Sequence, residues 1–123
     1  MKIRELKVED KIKWVELVNK AHDRDRKWAN QKFKRYVGSK KMKKMFVVEE
    51  KDKLIGFMGI KGQDNEEKVS KDLNENYLLV CWIALLPEYR GKGIGSALLK
   101  YAEKKLFKLI DDVYYAAVSD IRD

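Results

Sequence analysis

Residues 85–106, LLPEYRGKGIGSALLKYAEKKL, set Gly91, Gly93 and Gly95 at alternate positions, with Arg90 and Lys92 beside them and an amphipathic run straight after. The first turn of a helix leaves backbone N–H groups without partners, and the helix dipole adds positive potential there. Glycines let a backbone come close to a bulky anion and reach φ angles closed to other residues. With Arg90 and Lys92 adding charge, the chemistry indicated is phosphate or pyrophosphate binding at a helix start. A plain strand-to-helix turn needs one glycine or two, not three between two cations. The fingerprint G-x-G-x-x-G fails, because Ser96 stands where its third glycine belongs, and G-x-x-x-x-G-K-[ST] is absent.

Other chemistries find little material. Cys81 is the only cysteine and His22 the only histidine, so neither an internal disulfide nor a zinc cluster is expected, and no metal site is assigned. A nucleophile–histidine–carboxylate enzyme would have to be built on His22, and nothing around it suggests one. His22 is expected on a helix surface, and Cys81 as a small buried hydrophobe in a strand. The net charge of +8, with 39% charged residues, favours an anionic partner: nucleic acid, a phosphorylated cofactor or an acidic protein.

The elements that must hold the glycine turn can be read along the chain. The 123 residues, 45% of them hydrophobic, fit one domain over 1–123. No apolar run approaches the roughly 18 residues of a membrane span, and MKIRELKVED has no signal-peptide core. A cytoplasmic location without a membrane partner is therefore expected. Residues 2–8 read as an edge strand and Asp10 as a helix N-cap. Ile12, Val15, Val18 and Ala21 recur at helical spacing, with Trp14 and Leu17 widening the stripe. A second helix carries Trp28, Phe33, Tyr36 and Val37 and ends near Gly38. Strands at 45–50 and 54–62 form an antiparallel hairpin across a tight KDK connection, with Gly56 and Gly59 marking a bulge or a close approach. Residues 63–76 read as a polar loop. The nearly all-apolar 77–86 suits a central strand covered on both faces. A helix follows the glycine turn, and 112–118 is a last strand, parallel to the central one through a crossover. The expected class is α/β, with a mixed, mostly antiparallel sheet and flanking helices.

The spacing R-x-x-G-x-G, carried by Arg90, Gly93 and Gly95 within IALLPEYRGKGIGSALLKYAEK, resembles the acetyl-coenzyme-A-binding motif of the GCN5-related N-acetyltransferase (GNAT) superfamily. The upstream antiparallel strands and paired helices agree with that order. The resemblance implies an acyl-CoA N-acyltransferase fold and acetyl-CoA as cofactor. It implies that Ile83, Ala84 and Leu85 offer backbone groups to the pantetheine arm. The pyrophosphate is expected on the N–H groups of Arg90, Gly91, Lys92, Gly93, Ile94, Gly95 and Ser96. A backbone N–H near Leu85 is expected to polarise the acetyl carbonyl. Attack by the acceptor amine is direct, so no nucleophilic side chain is needed.

The family pattern is not complete. After the fifth strand, family members continue with another helix and usually two more strands, supplying an asparagine for the cofactor and often a tyrosine acid; here only SDIRD follows Val118. The fold is therefore expected to lack the last helix and strands. Members often place a glutamate base in the fourth or fifth strand, but 77–86 holds no acidic residue, so the catalytic residues stay unassigned. The apolar edge VYYAAV predicts a homodimer through the C-terminal strand. Three functions stand: an acetyl-CoA-dependent N-acetyltransferase acting on a primary amine; a non-catalytic CoA-binding or protein-binding module on a shortened fold; and weak, salt-sensitive nucleic-acid binding by KFKRYVGSKKMKKMF, 32–46, where cations interleave with aromatics.

Overall fold

A computed structural model describes residues 1–39, 43–62, 77–106 and 112–114. The expected loop at 63–76 and the strand residues 115–118 lie outside these described residues. Five strands, β1 (Lys2–Glu5), β2 (Lys43–Glu50), β3 (Lys53–Gly62), β4 (Tyr77–Leu85) and β5 (Asp112–Tyr114), form one sheet in the order β1-β2-β3-β4-β5. Three pairings are antiparallel and the last, β4 with β5, is parallel. The helices are α1 (Lys11–Ala21), α2 (Arg26–Tyr36) and α3 (Ile94–Leu106), the last running between β4 and β5.

Alternation along the strands puts Phe57 and Phe46 on opposite faces, because Phe57 pairs with Val47, the residue after Phe46. Trp14 of α1 meets Phe57 edge-on at 4.8 Å, while Tyr101 of α3 meets Phe46 at 5.2 Å. Helices thus cover both faces, and Ile83, Ala84 and Leu85 of β4 are buried between them. The β2–β3 hairpin closes through Lys51 and Asp52, both left-handed (φ 49° and 63°), between the paired Glu50 and Lys53. Two left-handed residues in a two-residue loop match the twist of the flanking strands.

Several expectations need correction. β1 stops at Glu5 and a 3₁₀ turn, Val8–Asp10, follows, leaving Val8 exposed. The buried stripe of α1 is Trp14, Leu17, Val18 and Ala21, whereas Ile12 is 84% exposed. Asp10 precedes α1 but makes no side-chain cap to it. Its carboxylate takes both guanidinium nitrogens of Arg4, at 2.7 and 2.9 Å, and the Lys7 N–H at 2.8 Å. The same Arg4 also donates to Glu49 on β2 at 3.3 Å. α2, by contrast, is capped by a side chain, with Asp25 accepting from the Trp28 N–H at 2.8 Å. His22, expected on the surface, is 1% exposed at the end of α1, with its ring 5.0 Å from that of Trp28 and 5.6 Å from that of Phe57.

Candidate functional site

The glycine turn starts where β4 ends. A 3₁₀ turn, Pro87–Tyr89, leads to Arg90; Gly91 and Gly93 follow at φ 73° and 81°, and α3 begins at Ile94. A Cβ on either glycine would meet nothing within 4 Å, so glycine is required there by conformation and the space in front is open. The Gly93 carbonyl accepts from the Ala97 N–H at 3.0 Å, closing the first helical turn. The N–H groups of Ile94, Gly95 and Ser96 lie ahead of that bond and have no acceptor within the helix. Such a cradle fits a diphosphate.

Arg90 differs from expectation. Its N–H donates to the Pro87 carbonyl at 3.2 Å, within the 3₁₀ turn. Its guanidinium points back into the protein, with Nε donating to the Leu85 carbonyl at 3.1 Å and Nη2 to the Ala21 carbonyl at 3.2 Å. Arg90 is a strut joining β4, the glycine turn and the carbonyl end of α1, where the helix dipole favours a cation. Lys92 stays exposed, with Nζ 5.7 Å from the Tyr89 ring, and is the cation of the pair available to the turn.

Backbone direction on β4 can be derived from one bond. The Leu86 N–H donates to the Ile55 carbonyl at 2.9 Å, extending the β3–β4 ladder. Alternate residues of an antiparallel strand bond to the same neighbour. Ala84 therefore faces β3 with its N–H and C=O, whereas Ile83 and Leu85 turn theirs to the other side, where β5 pairs with Tyr77, Leu78 and Leu79. The Leu85 N–H thus points away from β3, toward the side on which β5 lies. Upstream, Gly59 pairs with Trp82 but Ile60 pairs with Val80, so Cys81 is an extra residue and β4 bulges there. Bulges bend a strand and re-aim its side chains.

Beside this bulge lies a group that sequence reasoning did not assemble. Trp82 lies against Gly59, where an added Cβ would be 2.6 Å from the ring atom Cε3. The rings of Trp28 and Tyr36 stand edge-on to Trp82 at 5.4 and 5.7 Å, and the Tyr36 hydroxyl lies 4.0 Å from Cys81 Sγ. Lys32 Nζ sits 4.6 Å from the Trp82 ring centroid and 5.7 Å from that of Trp28. Burial lowers the Lys32 pKa from its ordinary value, and Arg35, Lys61 and Lys43 push it the same way. Spacing along one strand or helix carries no signal that joins residue 32 to residue 82.

The proposed nucleic-acid segment reads differently in three dimensions. Phe33, Tyr36 and Phe46 are buried in the core, so they are not a platform on which bases could stack. Lys40, Lys41 and Met42 of that segment lie outside the described residues. Among the described residues no helix is long and apolar enough to cross a membrane.

A profile of the acetyltransferase (GNAT) family matches residues 3–120. The chain belongs to this family. Over 63 residues it is 41% identical to the S-alkylcysteine N-acetyltransferase of Bacillus subtilis (strain 168), a match covering 50% of this chain and 33% of that protein. The chain therefore matches only about a third of this curated relative's length. The aminoglycoside 6'-N-acetyltransferase of Acinetobacter haemolyticus superposes with a TM-score of 0.78 at 20% identity, covering 98% of this chain and 81% of the other. AAC(6')-Iy, bound to the bisubstrate analogue CoA-S-monomethyl-acetylneamine, superposes with a TM-score of 0.77 at 13% identity over 96% and 80% of the two chains. At these identities the structures establish the GNAT acyl-CoA N-acyltransferase fold.

Proposed function

We propose that this GNAT chain transfers an acetyl group from acetyl-CoA to a primary amine. The observation that carries the reading is the pairing of two donor sets at one end of β4: the first-turn N–H groups of α3 behind the left-handed Gly91 and Gly93, and the Leu85 N–H turned away from β3. In this reading the diphosphate rests on the N–H groups of Ile94, Gly95 and Ser96, with Gly91 and Gly93 giving it room and Lys92 adding charge. The pantetheine arm lies along β4 at Ile83 and Leu85, while Ala84, expected to join them, turns its backbone groups to β3; the Leu85 N–H donates to the acetyl oxygen. The acceptor nitrogen forms its bond to the acetyl carbon as the thioester C–S bond breaks. The proton lost by the amine ends on the departing thiolate, giving the free thiol. Among the side chains set out above, none is assigned as the base.

The test is calorimetric titration of acetyl-CoA into wild-type protein and Gly93→Glu, followed by an amine screen. The screen includes an S-alkylcysteine and an aminoglycoside, the acceptor classes named for the similar proteins. Micromolar binding by the wild type, lost in the variant, and turnover of one amine support the reading. No binding at millimolar acetyl-CoA overturns it. Binding without turnover of any amine leaves a CoA-binding module instead. The expected homodimer belongs to the same proposal and rests on the 112–118 edge, of which 115–118 lie outside the described residues; a monomeric mass at micromolar concentration overturns it.

A further inference from the structure

We propose that Lys32, held over the Trp82 ring, forms an anion subsite that grips a carboxylate carried by the acceptor amine. The inference rests on the transferase reading for the acceptor being an amine, but the subsite stands on its own geometry. Trp82 is backed by Gly59, where no side chain intervenes, and is flanked by the edges of Trp28 and Tyr36. The ring face is thereby fixed, and Lys32 Nζ is fixed 4.6 Å above it. An ammonium over a tryptophan keeps its charge and its remaining N–H donors for a partner on the other side.

The electrostatic setting favours an anion. Lys43 and Lys61 are direct cross-strand partners at the β2–β3 end of the same sheet face, since Lys61 alternates in step with Phe57 and Gly59. Burial opposes the Lys32 charge most, and Arg35, Lys61 and Lys43 act the same way, with Cys81 acting against them. A carboxylate bound here relieves a cost that the protein carries without it. Arg35, Lys43 and Lys61 lie near enough to act on the half-buried Lys32, so the potential at its ammonium is positive.

Position ties the subsite to the reaction. Trp82 precedes Leu85 by three residues on β4, which at the strand rise is roughly 10 Å. A separation of that order suits an acceptor whose amine and carboxylate lie several bonds apart, as in 6-aminohexanoate, and is too long for an α-amino acid, whose two groups share one carbon. Strongly cationic acceptors such as polyamines are disfavoured by the same potential.

The experiment uses tryptophan fluorescence, because Lys32 lies on two of the chain's three tryptophans. Wild type, Lys32→Gln and Lys32→Arg are titrated with S-methylcysteine, β-alanine, 4-aminobutyrate and 6-aminohexanoate, each alongside its carboxamide. At least one carboxylate should bind about tenfold or more tighter than its carboxamide, in keeping with a charge-assisted bond. Lys32→Gln should remove that preference without weakening the carboxamide, and Lys32→Arg should restore part of it. A panel with no carboxylate preference, or a preference that survives Lys32→Gln, overturns the subsite. Acetyl-CoA is titrated separately into the wild type. If it fails to bind while the Lys32-dependent preference holds, the transferase reading falls and the subsite remains. If it binds and no preference appears, only the subsite falls.

Discussion

Arg90 joins two parts of the molecule 69 residues apart, since its Nη2 donates to the Ala21 carbonyl at 3.2 Å while its Nε holds the Leu85 carbonyl at 3.1 Å. The cation at the head of the glycine motif thus acts on protein carbonyls. It holds the end of β4 and the glycine turn in a fixed relation to α1.

Replacing Arg90 by Gln should therefore cost stability as well as cofactor affinity. Loss of two charge-assisted bonds to carbonyls predicts a fall of about 2 kcal/mol in unfolding free energy, read from the urea midpoint. Arg90→Lys should recover little, because an ammonium cannot span both carbonyls as the guanidinium fork does. Unchanged stability in Arg90→Gln would show that the strut carries no load.

Gly93→Ala and Gly93→Glu separate backbone strain from charge. At φ 81° with open space around it, Ala should cost about 1–2 kcal/mol of stability through conformation alone. Glu adds a carboxylate where the diphosphate is proposed to rest, and acetyl-CoA binding measured by calorimetry should fall well beyond the Ala variant. Equal affinities in the two variants would remove the turn from the phosphate site.

Gly59→Ala should disturb the core more than Gly91→Ala does. The new methyl group would meet Trp82 Cε3 at 2.6 Å, and that ring is already packed against Trp28 and Tyr36. Overpacking of this kind typically costs about 1–3 kcal/mol. A shift in tryptophan emission should accompany the loss, and its absence would mean that the ring moves away freely.

The Arg4–Asp10 pair gives a pH signature. The bidentate Arg4 holds the Asp10 carboxyl below its usual range, against an opposing push from burial, and the Lys7 N–H adds to the lowering. A carboxyl whose pKa is lower folded than unfolded contributes its full stability above the unfolded value, about 3.9, and loses it as pH falls through the folded value. Asp10→Asn should cost about 2–3 kcal/mol at pH 7, because it leaves the largely buried Arg4 guanidinium short of its main partner. The gap between wild type and variant should stay constant from pH 7 to about 5 and narrow below about 4. A constant gap down to pH 2.5 would contradict the depressed carboxyl.

Local patterns were sufficient for much of this protein. The glycine turn, the apolar β4, the hairpin and the start of α3 are each encoded within a few neighbouring residues, by φ preference, two-residue alternation and helix-terminal chemistry. The family resemblance was carried by a contiguous stretch for the same reason. Tertiary structure decided what depends on packing across long separations. It buried His22 against Phe57, exposed Ile12 at the margin of the α1 stripe, and drew Asp10 from a cap into a pair with Arg4. It turned Arg90 inward to Ala21 and brought Lys32 over Trp82. A side chain's hydrogen-bond and ring partners are chosen by whichever element packs beside it, and periodicity within one element does not record that neighbour.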